Sequence, residues 1–240
     1  MSGKVLILGG TAEARALAAE LHDDGTPVIS SLAGRVARPR LPEGDVRIGG
    51  FGGADKLADW LREHDIAAVV DATHPFAERI SASAAQAAPA AQIPIVRLER
   101  PGWTAQPGDD WRRVNDLDEA AAAITEDRVF LTSGRQGLPA FAGLARPWFL
   151  IRCVDPPEPP LPPKHQVLLD RGPYDLEGER ALMERHGIEV LVTKDSGGDH
   201  TAPKLQAARE RGIPVIVVDR PARPDMPIVT TVDAARAWLS

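Results

Sequence analysis

The sequence predicts an α/β protein of two domains. Each domain is expected to hold a mainly parallel sheet flanked by helices, the first Rossmann-like, with a ligand cleft between the two. Three observations lead there. Continuous apolar runs of strand length alternate with segments of helical period, the pattern of strands covered on both faces by crossover helices. The first run ends in the pair Gly9–Gly10 directly before a helix, which is how phosphate-binding turns are built. The alternation pauses once, after Arg100, in the turn-rich stretch "PGWTAQPGDDW", and then resumes. The expected division is 1–125 for a Rossmann-like domain and 126–240 for a second α/β domain.

The elements follow in order. "KVLILGG" is an apolar strand running into glycines, and "AEARALAAELHDDG" is a helix with Leu17 and Leu21 on one face and Gly25 as its stop. "PVISS" and "DVRIGG" read as the second and third strands, and "ADKLADWLREH" as a helix facing inward through Leu57 and Leu61. "IAAVVDATH" is a fourth strand. It enters a helix in "PFAERISASAAQAA", with Pro75 expected in the first turn, where its missing N–H costs nothing, and Phe76, Ile80 and Ala84 at helical spacing. "IPIVRLER" is a fifth strand. After the turn-rich connector, "DLDEAAAAI" is a helix, and a second set of strands follows in "RVFLTSG", "WFLIRCV", "HQVLLD", "IEVLVTKDSGG" and "IPVIVVDRP". Helices are expected near 176–186, 202–211 and 231–239. "DPPEPPLPP" cannot be regular, because proline removes donors and fixes φ. The two halves share a rhythm without a visible sequence repeat.

Bulk properties narrow the function. With 43% apolar and 26% charged residues over 240 positions, the chain is globular in composition. A net charge of −6 gives no basic surplus for general nucleic-acid binding. The single cysteine, Cys153, excludes an intrachain disulfide and a cysteine-rich metal site, and its apolar surroundings read as a buried strand. No apolar run reaches the length of a membrane span and no cleavable leader pattern opens the chain. A soluble cytoplasmic protein is expected, with neither membrane nor nucleic acid as partner.

In open parallel sheets ligands sit beyond the carboxyl ends of the strands. Gly9 and Gly10 fall there, and the helix behind them offers unpaired N–H groups to a pyrophosphate. Thr11 either adds a hydroxyl to a ligand or caps the helix. Glu13 either favours the helix N-terminus or accepts from a ligand hydroxyl. The fingerprint G-x-G-x-x-G is incomplete, with Thr11 and Ala14 where glycines belong, so a purely structural turn is the alternative. The second strand ends "SSLAGR", with Ser30 and Ser31 where an NAD site places an acid. Arg35 follows and suits a ribose 2′-phosphate, which favours NADPH over NADH; a solvated loop arginine is the alternative. "GGFGG" at 49–53, with Gly50 the candidate contact, suggests backbone close to a ligand under Phe51, or a tight turn around a buried ring. Asp71, Thr73 and His74 in "DATHPFA" stand where a sheet pocket opens. His74 can bond a cofactor or a substrate carboxylate, whereas Asp71 reads as an orienter of loop amides. No Cys or His cluster accompanies them, and no metal site is expected.

The second half repeats the arrangement. Ser133 and Gly134 can expose amides, and Arg135 can bind a carboxylate. Lys194 emerges from an apolar strand into the turn Ser196–Gly197–Gly198, with Pro203 in the first turn of the next helix. Lys194 is an anion binder or the partner of Asp195 or Asp199. Lys204 reads as an ordinary solvated helix residue. Arg97, Arg100, Arg152, Arg171 and Arg220 recur at strand ends, singly as surface charges and jointly as a trap for a polycarboxylate.

Taken together, "ILGGTAEARALA", "SLAGR", "GGFGG", "DATHPFA", "RLERPGW", "LTSGRQGL", "RGPY", "TKDSGG" and "IPVIVVDRP" resemble the precorrin-6A reductase family over nearly the whole chain. The resemblance implies NADPH-dependent reduction of a ring double bond in precorrin-6A to give precorrin-6B, in corrin ring biosynthesis. The cofactor would lie between the two domains, the substrate would be a polycarboxylate tetrapyrrole, and neighbouring corrin-pathway enzymes would be partners. It assigns Gly9, Gly10, Thr11, Glu13, Ser31, Gly34, Arg35, Thr73, His74, Ser133, Gly134, Arg135, Lys194, Ser196 and Gly197 to the cofactor or the facing loops, with Lys194 and His74 in positioning or electrostatic roles. Two positions depart from the family pattern, Asp195 where Asn is common and Tyr174 where Phe is common. The competing classes are a cobalt-precorrin-6A reductase, a non-catalytic NADP- or corrinoid-binding module, and a sugar-nucleotide enzyme.

Overall fold

The computed structural model describes residues 3–34, 37 and 39–240. The chain forms two compact units, Met1–Pro101 with Pro221–Ser240 and Gly102–Arg220. Among the described residues, each unit holds one six-stranded sheet in which every pairing is parallel.

The first unit contains β1 (Lys4–Leu8), α1 (Ala12–Asp23), β2 (Val28–Leu32), β3 (Asp45–Ile48), α2 (Ala54–Glu63), β4 (Ile66–Asp71), α3 (Glu78–Ala90) and β5 (Ile95–Leu98), completed from the chain's end by β12 (Ile228–Val229) and α7 (Val232–Leu239). The strand order is β12-β5-β4-β1-β2-β3, the Rossmann arrangement with its reversal between β1 and β4. Alternation along β1 divides the core. Val5 and Ile7 pack with Leu17 and Leu21 of α1 and Ala235 and Leu239 of α7. Leu6 and Leu8 pack on the other face with Leu57 and Leu61 of α2 and Ala84 and Ala87 of α3. Burial of each such Leu or Ile stabilises by about 1.5–3 kcal/mol, which explains why these strands read as unbroken apolar runs.

The second unit contains β6 (Trp111–Val114), α4 (Leu117–Ala122), β7 (Arg128–Leu131), a 3-10 turn (Arg135–Phe141), β8 (Trp148–Cys153), β9 (His165–Leu169), α5 (Leu176–Arg185), β10 (Val190–Lys194), α6 (Pro203–Glu210) and β11 (Val215–Val218). Its order is β6-β11-β10-β7-β8-β9. The five strands from β9 through β11 repeat the order of β3 through β5. The sixth place is filled reciprocally. The chain leaves the first sheet after β5 and gives β6 to the edge beside β11; it then returns after β11 and gives β12 to the edge beside β5.

Three expectations need correction. The division at 125 falls inside the second unit, and the last twenty residues belong with the first. The sequence concealed this because β6 carries Arg112 and Arg113 in a four-residue edge strand, and β12 is two residues long; neither is an apolar run. Pro75 and Phe76 lie in a turn, and α3 starts at Glu78. Cys153 is the buried strand residue expected, and burial pushes its thiol pKa up. No helix among the described residues is long and apolar enough to cross a membrane.

The return after β11 is part of the first unit's core. Arg97 N–H donates to Pro227 O and Glu99 N–H to Val229 O, while Ala235 and Leu239 cover α1. A chain ending at Arg220 is expected to lose amide protection throughout α1 and β1 while β7 and β10 stay protected. Hydrogen exchange checks this, and equal protection in both sheets would mean the return contributes nothing.

Candidate functional site

The motifs singled out in the sequence gather at the carboxyl edges of the two sheets, at β1/β4 in the first unit and β7/β10 in the second. These are the points where the strand order reverses and a crevice opens. At the first edge, Gly9 N–H donates to Ser31 O at 2.9 Å, which ties the turn to the end of β2. Gly10 has φ +118, and nothing lies within 4 Å of where a Cβ would stand. Its backbone is therefore open to a ligand, and a side chain there would be strained. A pocket is lined by Gly9, Gly10, Arg15, Ser30 and Arg40, among others. Ser30 is 2% exposed, and its hydroxyl has no partner. A buried hydroxyl left so costs about 1–3 kcal/mol unless something entering the pocket completes it. Arg15 and Arg40 were not signalled by the sequence, because neither stands in a strand-end motif.

Other predicted residues in this unit have structural partners. Thr11 is the N-cap of α1. Its Oγ1 accepts from Ala14 N–H at 3.1 Å and donates to Ala72 O at 2.7 Å, joining the β1 turn to the end of β4. Of its two readings the cap is the one seen. Glu13 pairs with Arg100 at 2.8 Å. Arg47 donates to Gly49 O at 2.6 Å and Gly50 O at 2.9 Å, and more weakly to Ser31 Oγ at 3.4 Å. Its guanidinium lies 3.7 Å from the Phe51 ring centroid, and Phe51 meets Trp60 edge-on at 5.2 Å. The "GGFGG" loop is thus a turn packed on α2 and held by Arg47, a residue the sequence reading passed over. Gly34 has φ +71. Arg35 lies outside the described residues.

Asp71 is fully buried and orients its loop, as expected. One oxygen accepts Thr73 N–H at 3.1 Å and Thr73 Oγ1 at 2.7 Å; the other accepts Arg97 at 2.7 Å. Arg97 also donates to Glu99 at 2.6 Å and Ser81 Oγ at 2.8 Å, and Glu99 meets Arg223 at 2.8 Å. Arg97 is 2% exposed, so the surface-charge reading fails for it. Thr73 is spent in this network. His74 Nδ1 accepts from Phe76 N–H at 3.2 Å, which leaves Nε2 to carry the proton of the neutral ring.

At the second edge Ser133 is 5% exposed and its hydroxyl has no partner. Gly134 follows at φ +75 and Arg135 opens the 3-10 turn. Lys194 ends β10, its carbonyl accepting Ser196 N–H at 2.7 Å, and Gly197 has φ +63. Asp195 faces into the protein, accepting Trp103 N–H at 3.0 Å and Arg113 at 3.0 Å. Lys204 contradicts its reading as a solvated residue. It is 4% exposed, donates to Thr201 O at 2.9 Å, and burial followed by the nearby Arg152 lowers its pKa to about 7. Arg152 is also buried, paired with Glu179 at 2.5 Å and 3.7 Å from the Tyr174 ring centroid; burial raises the Tyr174 pKa.

A family model described as "Precorrin-6x reductase CbiJ/CobK" matches residues 4–240. The chain is similar to a precorrin-6A reductase of Rhodococcus erythropolis, 54% identical over 98% of this chain and 97% of that protein. It is also similar to a precorrin-6A reductase of Mycobacterium tuberculosis, 50% identical over 99% and 97%. A cobalt-precorrin-6A reductase of Priestia megaterium is 32% identical over 90% of each. Among solved structures, "CobK precorrin-6A reductase" superposes with a TM-score of 0.94 at 42% identity, covering 99% of this chain and 96% of that one.

Two outcomes follow from the buried charges. Arg97→Met leaves Asp71 and Glu99 without their shared cation, and the expected loss is about 3–5 kcal/mol in urea unfolding; a loss below about 1 kcal/mol would mean water reaches the pair. Lys204 drops from an ordinary pKa of 10.5 to about 7 on folding. Between those values the unfolded chain binds the extra proton, so wild-type stability is fullest above the unfolded value and declines as pH falls toward 7. The Tm of Lys204→Met relative to wild type should therefore be more favourable at about pH 7 than at about pH 10, and a pH-independent difference would contradict the burial of the ammonium.

Proposed function

The chain belongs to the precorrin-6x reductase family, and we propose that it reduces precorrin-6A to precorrin-6B with NADPH as hydride donor. It is an oxidoreductase of cobalamin biosynthesis, and the family's chemistry calls for a nicotinamide nucleotide. The observation that carries the choice of NADPH is the pocket at β1/β2. It combines the open backbone of Gly10, the unpartnered hydroxyl of Ser30, and Arg15 and Arg40. No acid stands at the end of β2 to bind a ribose 2′-hydroxyl; Ser30 and Ser31 stand there instead. Two arginines suit a 2′-phosphate, and Arg35 is assigned the same role.

Bound there, a dihydronicotinamide would supply a hydride to an electron-poor carbon of the conjugated macrocycle and be oxidised, and a proton from solvent would complete the reduction of the double bond. The chain's own part is placement and electrostatics. Gly9, Gly10 and the N-terminus of α1 receive the pyrophosphate, with Thr11 and Asp71 holding that turn and the Thr73–His74 loop rigid. His74 is assigned to the cofactor by its place in the loop after β4. Ser133, Gly134, Arg135, Lys194, Ser196 and Gly197 of the second unit, at the carboxyl ends of β7 and β10, are assigned to the cofactor and substrate, the cations suiting carboxylates and phosphate. The greater identity to precorrin-6A reductases than to the cobalt-named relative supports a metal-free substrate, and the cytoplasm is the compartment this reading assumes.

The decisive assay is anaerobic NADPH oxidation with metal-free and cobalt-loaded precorrin-6A; tight NADPH binding without turnover on either would sink the reading. Arg35→Ala is expected to raise the KM for NADPH about 10- to 100-fold, the worth of a charged hydrogen bond, and to leave the KM for NADH nearly unchanged. Equal changes for both would place Arg35 away from the phosphate.

A further inference from the structure

Trp103 reaches both ends of the turn that carries Ser196 and Gly197. Its backbone N–H donates to Asp195 Oδ1 at 3.0 Å, and its indole Nε1–H donates to Gly198 O at 2.9 Å. Asp195 is fixed from two further sides, by Arg113 at 3.0 Å and by its own N–H to Val218 O at 2.9 Å. The carboxylate lies so close to Gly102 that a Cβ there would stand 2.8 Å from Oδ2. Beyond Gly198 the carbonyls are also engaged. His200 O accepts Tyr174 N–H at 3.2 Å and Thr201 O accepts Lys204 Nζ at 2.9 Å. The Lys204 ammonium lies 4.7 Å from the Trp103 ring centroid, within cation–π range. The indole is therefore gripped through its face by Lys204 and through its edge by Gly198, and Ser196 and Gly197 are strung between two fixed ends.

We propose that Trp103 and Lys204 form a clamp that sets the position of Ser196 and Gly197, making Lys204 a positioning residue for the reduction. The proposal rests on the assignment of Ser196 and Gly197 to the cofactor site. The charged neighbours of Lys204 are Arg152 on β8 and Glu179 on α5, themselves an ion pair. The ammonium is thus an added positive charge against a neutral pair, and Trp103 offers it the electron-rich surface that the pair does not. Each contact can be removed on its own: without the ammonium the ring loses its facing charge, and without the indole N–H the Gly198 carbonyl loses its donor.

The test uses the full chain and three variants, Lys204→Met, Lys204→Arg and Trp103→Phe. Hydrogen exchange is read over residues 195–201 in the free protein, and steady-state kinetics with NADPH and precorrin-6A, both below about pH 7, where Lys204 carries its proton in the folded chain. In Lys204→Met and Trp103→Phe, exchange at Ser196–Gly198 should quicken about tenfold, the scale of one lost cation–π contact in the first and one lost hydrogen bond in the second, and the KM for NADPH should rise by a like factor with kcat nearly unchanged. Lys204→Arg, which keeps the cation, should restore both. Exchange matching wild type in both variants overturns the clamp. Faster exchange with an unmoved KM upholds the clamp but overturns Lys204 as a positioning residue and the cofactor assignment of Ser196 and Gly197. If Lys204→Met does not fold, Trp103→Phe, which removes one donor and keeps a ring, decides the matter alone.

Discussion

The first unit depends on a guanidinium shut away from water. Arg97 cannot discharge by losing its proton, so its burial at 2% exposure is tolerable only with partners of opposite charge and good geometry. Asp71 and Glu99 supply them from neighbouring positions in the sheet. Each carboxylate is then available for a second task. Asp71 holds Thr73, which shapes the loop leading to His74. Glu99 holds Arg223, in the segment that brings the chain back to the first sheet. One cation therefore couples the presentation of the β4 loop to the arrival of β12. The second unit has a parallel arrangement in Arg152 and Glu179, with Tyr174 stacked on the guanidinium.

The reciprocal exchange of edge strands gives a reason for that coupling. A unit whose sixth strand and last helix come from residues 228–239 cannot complete its core until the whole second unit has been made. The first sheet must have its open edge at β5 held in a form that receives β12. The buried Arg97–Glu99 pair lies at that edge, and backbone donors from Arg97 and Glu99 meet the incoming strand. The charge network and the edge hydrogen bonds thus belong to the same two residues.

The fold class was legible because doubly covered parallel strands must bury both faces, and the eight interior strands are buried along nearly their whole length. What was hidden shared one cause: β6 and β12 are edge strands, and an edge strand need not be apolar. At the site, the backbone parts were legible and the side-chain parts were less so. Gly10 was legible as a turn residue because a positive φ calls for glycine. Arg15, Arg40 and Arg47 were missed because an arginine in a helix, loop or strand is solvated in most proteins, and nothing in the linear pattern marks one that turns toward a pocket or a loop. Lys204 was misread for the same reason: its position in a first helical turn is ordinary, and its neighbours Trp103, Arg152 and Glu179 come from distant parts of the chain. Thr11 and Thr73 were read as possible ligand groups. Their hydroxyls instead hold the glycine turn and the β4 loop, one step behind the contact surface.

Asp195 shows how strand alternation sorts charge at such a site. Lys194, Asp195 and Ser196 are consecutive, so the middle side chain points opposite to its neighbours as the strand ends. An ionised carboxylate facing an anionic ligand would repel it; turned inward, it meets Arg113, Trp103 and, through its backbone carbonyl, Arg220. An asparagine there could keep the bond to the Trp103 N–H but would leave Arg113 with Asp219 as its only carboxylate partner among the described residues. The aspartate is therefore matched to the edge strand that carries Arg113.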